Sequence, residues 1–350
     1  PEGFVLNHDR SEVAFVYADQ DTPVIEQEVT VGDDRQKVAI QVEKQDAENG
    51  ATVAGAVFGI YNTEDLKNEK GEIIVKADTL LQEMTSDNDG LAACTLDLPL
   101  GQYYVKELKA PAGFVSSDEV LNLNASYQGQ DVKTVKLKTV KKNQPTTVEI
   151  TKSDVTTGVE LDGAKLTVLD KEGNVVDQWT SVKDQPHVIK RLTVGEEYTL
   201  REEMAPYGYL KTTDVKFTLE DTAEIQKVEM KDDVTKVQIS KTDITGETEI
   251  PGAKLTILDK DDQVVESWTS TEEAHYIEKL PIGKYTLREE QAPKGYLLTS
   301  DVSFEVKDTG EIQKVAMKDD TAKGKVILNK TDKSSGEPLK GVEFELRDSK

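Results

Sequence analysis

Lys44, Lys152 and Lys241 each close a run in which every second residue is apolar: Val38, Ile40 and Val42 precede the first, Val148 and Ile150 the second, Val237 and Ile239 the third. Residues two apart in an extended strand share a face, so each lysine points to the same side as its apolar neighbours. The same parity groups Tyr103 and Val105 with Glu107, Tyr198 and Leu200 with Glu202, and Tyr285 and Leu287 with Glu289. It also groups Val228 and Met230 with Asp232, and Val315 and Met317 with Asp319. An unpaired ion in an apolar interior costs several kcal/mol, so one inward ammonium and two inward carboxyls per set demand one another's company.

Two chemistries are open to such a triad. One is a buried ion-pair cluster that specifies the fold. The other is covalent. Desolvation favours neutral Lys and protonated Asp, which sets a nucleophilic amine against an electrophilic carboxyl. The Glu then moves protons between the amine and the departing oxygen, and an amide forms once, without a cofactor, with loss of water.

The elements that position these residues recur along the chain. Val148-Glu-Ile-Thr-Lys-Ser-Asp154 returns as Val237-Gln-Ile-Ser-Lys-Thr-Asp243 and Val326-Ile-Leu-Asn-Lys-Thr-Asp332, and more loosely as Ile40-Gln-Val-Glu-Lys-Gln-Asp46. A second block, Tyr198-Thr-Leu-Arg-Glu-Glu-Met-Ala-Pro-Tyr-Gly-Tyr209, returns at 285–296 and 103–114, and Pro1-Glu-Gly-Phe4 is the tail of another copy. A third block closes the units as Val228-Glu-Met-Lys-Asp-Asp233, Val315-Ala-Met-Lys-Asp-Asp320 and Val29-Thr-Val-Gly-Asp-Asp34, whereas the first complete unit ends at Lys141-Lys-Asn-Gln-Pro145. Lys44, Lys152, Lys241 and Lys330 lie 108, 89 and 89 positions apart. The expected organisation is a remnant at 1–37, complete units at 38–145, 146–235 and 236–322, and a second remnant at 323–350. The remnants leave Asp33 and Lys330 without the other members of a triad.

Within each unit, short runs rich in Val, Ile, Thr and Tyr alternate apolar with polar and are punctuated by turns such as Asp170-Lys-Glu-Gly-Asn174. About seven such runs per unit predict an all-β fold of tandem immunoglobulin-like sandwiches. In the first unit, Asp65-Leu-Lys-Asn-Glu-Lys70 reads as a helical turn inside an insertion. The closing run of that unit, Val135-Lys-Leu-Lys-Thr-Val-Lys-Lys-Asn143, does not alternate cleanly, so a bulge or register shift that moves Asn143 off the apolar face stays open.

Composition narrows the partners. The 350 residues carry 67 Asp and Glu against 43 Lys and Arg, a net charge of −24, which disfavours nucleic acid and anionic lipid. The one cysteine, Cys94, rules out an intramolecular disulfide and reads as a small core residue. No apolar run is long enough for a membrane span, and the chain reads as an internal fragment of a longer protein. Asp87-Asn-Asp-Gly90 and Asp259-Lys-Asp-Asp262 lack the ligand spacing of a calcium loop and read as turns. His8, His187 and His275 show no ligand cluster, and Trp179 and Trp268 read as packing residues, so no metal or cofactor is expected.

The three blocks, in fixed order, resemble the collagen-adhesin B-type or SpaA-like prealbumin-fold repeats of Gram-positive adhesins and pilins. The resemblance covers essentially the whole chain. It implies an elongated array of sandwiches in which a first-strand lysine is joined to a last-strand Asp or Asn with help from the Glu of the Tyr-x-Leu-x-Glu-x-x-Ala-Pro-x-Gly-Tyr box. Carried over by position, Lys152 attacks Asp232 assisted by Glu202, and Lys241 attacks Asp319 assisted by Glu289. Lys44 and Glu107 match in the first unit, where Asn143 fits the acceptor variant that releases ammonia; Pro111 and Asn143 are 32 positions apart, as are Pro1 and Asp33, against 26 for Pro206 and Asp232. The role implied is a non-enzymatic stalk on the cell surface, anchored to peptidoglycan by a sortase and projecting a domain that grips host matrix or glycan, both functions lying outside this sequence. The alternatives are repeats that bind matrix or glycan themselves, and a sortase-assembled pilus shaft.

Overall fold

The computed structural model describes residues 2–9, 12–68 and 70–347. The chain divides into two compact units; the first runs to Asp232 but lacks Tyr207–Leu210, which belongs with the second. The described residues form strands, turns and loops, with no α-helix among them.

The first unit holds two sandwiches. The strands of the first are β1 (Lys37–Asp46), β2 (Val57–Asn62), β3 (Leu66–Lys67), β4 (Ile73–Val75), β5 (Leu80–Thr85), β6 (Leu91–Ala93), β7 (Gly101–Lys109), β8 (Leu121–Ala125) and β9 (Thr134–Asn143). They form a three-stranded sheet in the order β6-β1-β9, a four-stranded sheet in the order β5-β2-β7-β8, and a small β3-β4 pair. The second sandwich comprises β10 (Thr147–Asp154), β11 (Lys165–Leu169), β12 (Val175–Thr180), β13 (His187–Lys190), β14 (Glu197–Met204), β15 (Val215–Thr218) and β16 (Gln226–Asp232). Its sheets run β13-β10-β16 and β12-β11-β14-β15. The second unit repeats this plan with β17 (Lys236–Asp243), β18 (Lys254–Leu258), β19 (Val264–Thr269), β20 (His275–Glu278), β21 (Gly283–Gln291), β22 (Val302–Val306) and β23 (Ile312–Asp319), in the orders β20-β17-β23 and β19-β18-β21-β22.

Alternation drives this arrangement. Val148 and Ile150 of β10, Leu166 and Val168 of β11, and Tyr198 and Leu200 of β14 fill one core between the two sheets, and Val237, Ile239, Leu255, Ile257, Tyr285 and Leu287 fill its counterpart. Each such side chain contributes about 1.5–3 kcal/mol when fully buried. The first and last strands of every sandwich lie side by side and parallel, β1 with β9, β10 with β16 and β17 with β23. Hydrogen bonding between the two ends of the sequence repeat thus closes each sandwich.

The segment expected to form a helical turn contains instead β3 and part of the turn to β4. Asn68 explains the difference: its Oδ1 accepts the N–H groups of Lys70 and Glu72 at 3.0 and 2.9 Å, and Gly71 takes a left-handed φ of 82°. This side-chain cap gives the backbone a tight turn in place of a helical one.

Candidate functional site

Register places the chemistry. Lys152 pairs with Met230 across β10 and β16, and Asp232, two residues further on, shares the face of both. Lys241, Met317 and Asp319 stand in the same relation across β17 and β23. In the first sandwich Lys44 pairs with Lys141, and Asn143 follows two residues later. The ladder between β1 and β9 runs from Lys37↔Thr134 to Asp46↔Asn143 without a shift, so the bulge left open by the sequence is not present there. Lys141 and Asn143 are both buried and Val140 is exposed; the poor alternation of this run comes from a lysine facing inward and a valine facing out.

The glutamates arrive from the opposite sheet. Glu107, Glu202 and Glu289 pair with Phe58, Leu166 and Leu255, and in all three places the register slips by one residue immediately beside the Glu. Such bulges bend a strand and re-aim its side chains.

In the second sandwich Lys152 Nζ meets Asp232 Oδ1 and lies 3.0 Å from Glu202 Oε1, and all three side chains are almost fully buried. In the third sandwich Lys241 Nζ meets Asp319 Oδ1 and lies 2.8 Å from Glu289 Oε1. The other oxygen of each glutamate is held by backbone: Thr212 N–H donates to Glu202 Oε2 at 2.8 Å, and Thr299 N–H to Glu289 Oε2 at 2.9 Å. Neither threonine is apparent from strand parity, because each lies in the loop after the Ala-Pro box.

Asp232 Oδ2 and Asp319 Oδ2 are buried and receive no hydrogen bond, while Glu202 Oε1 and Glu289 Oε1 are buried with the lysine Nζ as their ion-pair contact. The carboxyls of each pair are hydrogen-bond neighbours, so one proton held between them satisfies both. Burial pushes the Asp232 carboxyl up to about 7; Lys152 opposes that shift and Glu202 adds to it. Burial raises Asp319 in the same way, against Lys241. A neutral acid beside an amine, with a carboxylate in contact to move the proton, has the parts for amide formation.

The first site differs in detail. Asn143 Nδ2 donates to Glu107 Oε2 at 2.6 Å, leaving Asn143 Oδ1 and Glu107 Oε1 buried without partners. Lys44 is fully buried, its Nζ donates to Gln45 O at 3.1 Å, and it lies 5.4 Å from the centre of the Phe114 ring. Burial brings the Lys44 amine down to about 8; Glu107 opposes the shift and Lys141 reinforces it. The glutamate is thus bonded to the amide nitrogen that must leave if Lys44 attacks the Asn143 carbonyl. Lys141, which strand parity did not single out, is held by Ser117 Oγ at 2.8 Å and Glu119 Oε2 at 2.9 Å.

Asp33 and Lys330 are exposed. Asp320 is exposed as well, while Asp233 is half-buried and pairs with Lys236 at 3.0 Å. No group of His, Cys, Asp and Glu suited to a metal occurs among the described residues. His187 stacks on Trp179 with ring centres 4.0 Å apart and bonds Asp177 at 2.8 Å; His275 stacks on Trp268 at 4.3 Å and bonds Glu266 at 2.7 Å. These pairs tie edge strands of the two sheets together, β12 to β13 and β19 to β20.

A model of the SpaA prealbumin-like fold domain matches residues 38–141, 146–234 and 235–321. The Trypsin-resistant surface T6 protein of Streptococcus pyogenes serotype M6 is 30% identical over 95 residues, which is 27% of this chain and 15% of that protein. Among solved structures, the Bacillus anthracis TIE protein aligns over 83% of this chain and 52% of its own at 28% identity and a TM-score of 0.45. The full-length major pilin SpaD of Corynebacterium diphtheriae aligns over 83% and 98% at 15% identity and a TM-score of 0.40. The chain therefore spans about a seventh of the streptococcal protein and half of the Bacillus one.

Proposed function

The chain belongs to the SpaA prealbumin-like fold family, and from that premise we propose that it is a stalk segment of a Gram-positive surface adhesin or pilin whose sandwiches cross-link themselves. The donors are Lys44, Lys152 and Lys241, the acceptors Asn143, Asp232 and Asp319, and the proton carriers Glu107, Glu202 and Glu289. Lys152 Nζ attacks the Asp232 carboxyl carbon, Glu202 takes a proton from nitrogen and delivers one to the leaving hydroxyl, and one water departs. Lys241, Asp319 and Glu289 react alike. In the first sandwich Lys44 displaces the Asn143 amide nitrogen, which leaves as ammonia after protonation through Glu107.

The observation that carries this reading is the common lattice position: in all three sandwiches the acceptor lies two residues beyond the lysine's partner on the adjacent parallel strand. A reaction that consumes its own catalytic residues performs one turnover, which suits a structural part and not an enzyme. The named relatives, a surface protein and a pilin, support placement outside the cell. Adhesion to matrix or glycan and anchoring by a sortase are assigned to parts of the protein outside 1–350.

Proteolysis followed by peptide sequencing tests the assignment. Branched peptides joining Lys44 to Asn143, Lys152 to Asp232 and Lys241 to Asp319 are expected. Linear peptides covering all six residues would contradict it.

A further inference from the structure

Within the first unit, the second sandwich meets the first through backbone as much as through side chains. Gly113, in the Ala-Pro-Ala-Gly-Phe box after β7, has φ of 81°, and a Cβ built on it falls 2.5 Å from the Arg191 carbonyl oxygen. Arg191, just past β13, is itself left-handed at φ of 65°, which L residues rarely adopt. Its N–H donates to Thr146 O at 3.0 Å, and its guanidinium donates to the buried Asp46 at 2.6 Å and lies 6.0 Å from the Phe114 ring centre. Thr146, in the link between sandwiches, is fully buried; its N–H donates to Gly113 O at 3.0 Å and its hydroxyl to Leu192 O at 2.6 Å.

The second unit contains the same constellation from its own residues. Gly208 has φ of 80°, and its Cβ would fall 2.5 Å from the Lys279 carbonyl oxygen; Lys279 has φ of 63°. Lys279 N–H donates to Thr235 O at 3.0 Å, and its Nζ donates to the Tyr209 hydroxyl at 2.7 Å and lies 4.8 Å from that ring's centre. The Thr235 hydroxyl donates to Leu280 O at 2.5 Å. The third copy of the box is open: a Cβ on Gly295 would meet nothing within 4 Å. Tyr296 there lines a pocket with Asp243, Glu249 and Glu272.

We propose that the glycine and aromatic of the Ala-Pro boxes at 103–114 and 198–209 form a socket for a left-handed cationic residue of the repeat that follows, and that this plug fixes the joint between residues 38–145 and 146–235. Three requirements converge on the plug. The socket offers the Asp46 carboxylate and the Phe114 ring, which select a cation. The Arg191 carbonyl must approach where a side chain on residue 113 would stand, which selects glycine. The left-handed turn lets Arg191 donate backward to Thr146 while its side chain reaches forward into the socket. The Gly295–Tyr296 socket, with Asp243 beside it, fits the corresponding Arg or Lys of another repeat of the same type. In the first unit the joint is reinforced at its rim by Lys190 on Glu48 at 2.7 Å and by Ser116 N–H on Asp221 at 2.8 Å.

Spin labels report the joint in the full chain. With Cys94→Ser as background, cysteines at Asn122 and Lys183 carry the labels, one in each sandwich, and pulsed dipolar spectroscopy reads the spread of their separation. One narrow distance is expected in this parent. Gly113→Val is expected to broaden it several-fold, and Arg191→Gly, which relieves the backbone while removing the cation, to broaden it as well. The second variant keeps the question answerable if the first fails to fold. Gly208→Val, the same change in the other unit, is expected to leave the distance narrow. An unchanged width in Gly113→Val or Arg191→Gly would overturn the proposal, as would equal broadening by Gly208→Val.

Discussion

Asp232 lies two residues beyond Met230, the partner of Lys152 on the adjacent parallel strand, and its Oδ1 meets Lys152 Nζ while its Oδ2 is buried without a hydrogen bond. One oxygen is thus committed to the amine, and the other is left for a proton shared with Glu202. The two residues stand 80 positions apart, so the contact ties the beginning of a sandwich to its end. Several expectations depend on that topology.

The two acceptor types should respond to pH in opposite directions. The Asp232 carboxyl is raised to about 7 and the Lys44 amine lowered to about 8. Attack on Asp232 uses the protonated acid, so loss of water should slow as pH rises through about 7. Attack on Asn143 uses the neutral amine, so loss of ammonia should quicken as pH rises towards and past 8. Before linkage, the raised value of Asp232 also favours the fold fully below the ordinary aspartate value, a contribution lost as pH rises through about 7. A chain made in denaturant and refolded across a pH series, with each loss followed by mass, reads both rates. Parallel slopes would contradict the assignment of proton states.

Lys141 adds to the effect of burial on Lys44 in the first sandwich. It occupies the register position held by Met230 and Met317 in the others, and its charge helps to lower Lys44. Lys141→Met frees Glu119, which is already well exposed, so the sandwich should tolerate the change. The rise of the ammonia-loss rate should then move to higher pH. An unmoved profile would show that Lys141 has no part in tuning Lys44.

Glu289→Ala should leave Lys241 and Asp319 unlinked. Their bond joins residues 78 positions apart, and closing a loop of that span contributes about 4 kcal/mol by analogy with a disulfide. The variant should therefore regain the mass of one water and melt at lower temperature. Under load in a single-molecule experiment it should release up to about 250 Å that the parent withholds, at about 3.3 Å per extended residue. A variant that retains the bond would remove Glu289 from the chemistry.

His187→Ala should loosen the clamp between β12 and β13 without any metal being involved. The stacked ring on Trp179 is worth about 0.5–1.5 kcal/mol, a shift of a few degrees in melting. Calorimetry with and without a chelator checks both points; a chelator-dependent transition would restore a metal role to His187.

The triads were legible because strand parity needs no tertiary information: a lysine two residues after Val148 and Ile150 must share their face. What parity could not supply was anything set by a second element. Asn143 looked ambiguous because Val140 faces out and Lys141 in, and the compensation for Lys141 comes from Glu119 and Ser117 in a loop far along the chain. Thr212 and Thr299 act through backbone N–H groups, which carry no residue signature. The turn at Asn68 was misread because one side-chain cap and one left-handed glycine outweigh the helix propensity of the flanking charged residues. The pairing of Trp179 with His187 needed the path of the β12–β13 connection between sheets, and single-residue patterns do not contain it.

The intact mass of the purified chain tests the central claim most directly, because each proposed bond removes a defined small molecule and nothing else. The account predicts a mass below that of the sequence by two waters and one ammonia, from the Lys152–Asp232, Lys241–Asp319 and Lys44–Asn143 bonds respectively. A deficit of two waters alone would remove the Lys44–Asn143 bond, and a mass equal to that of the unmodified sequence would contradict the cross-linked stalk altogether.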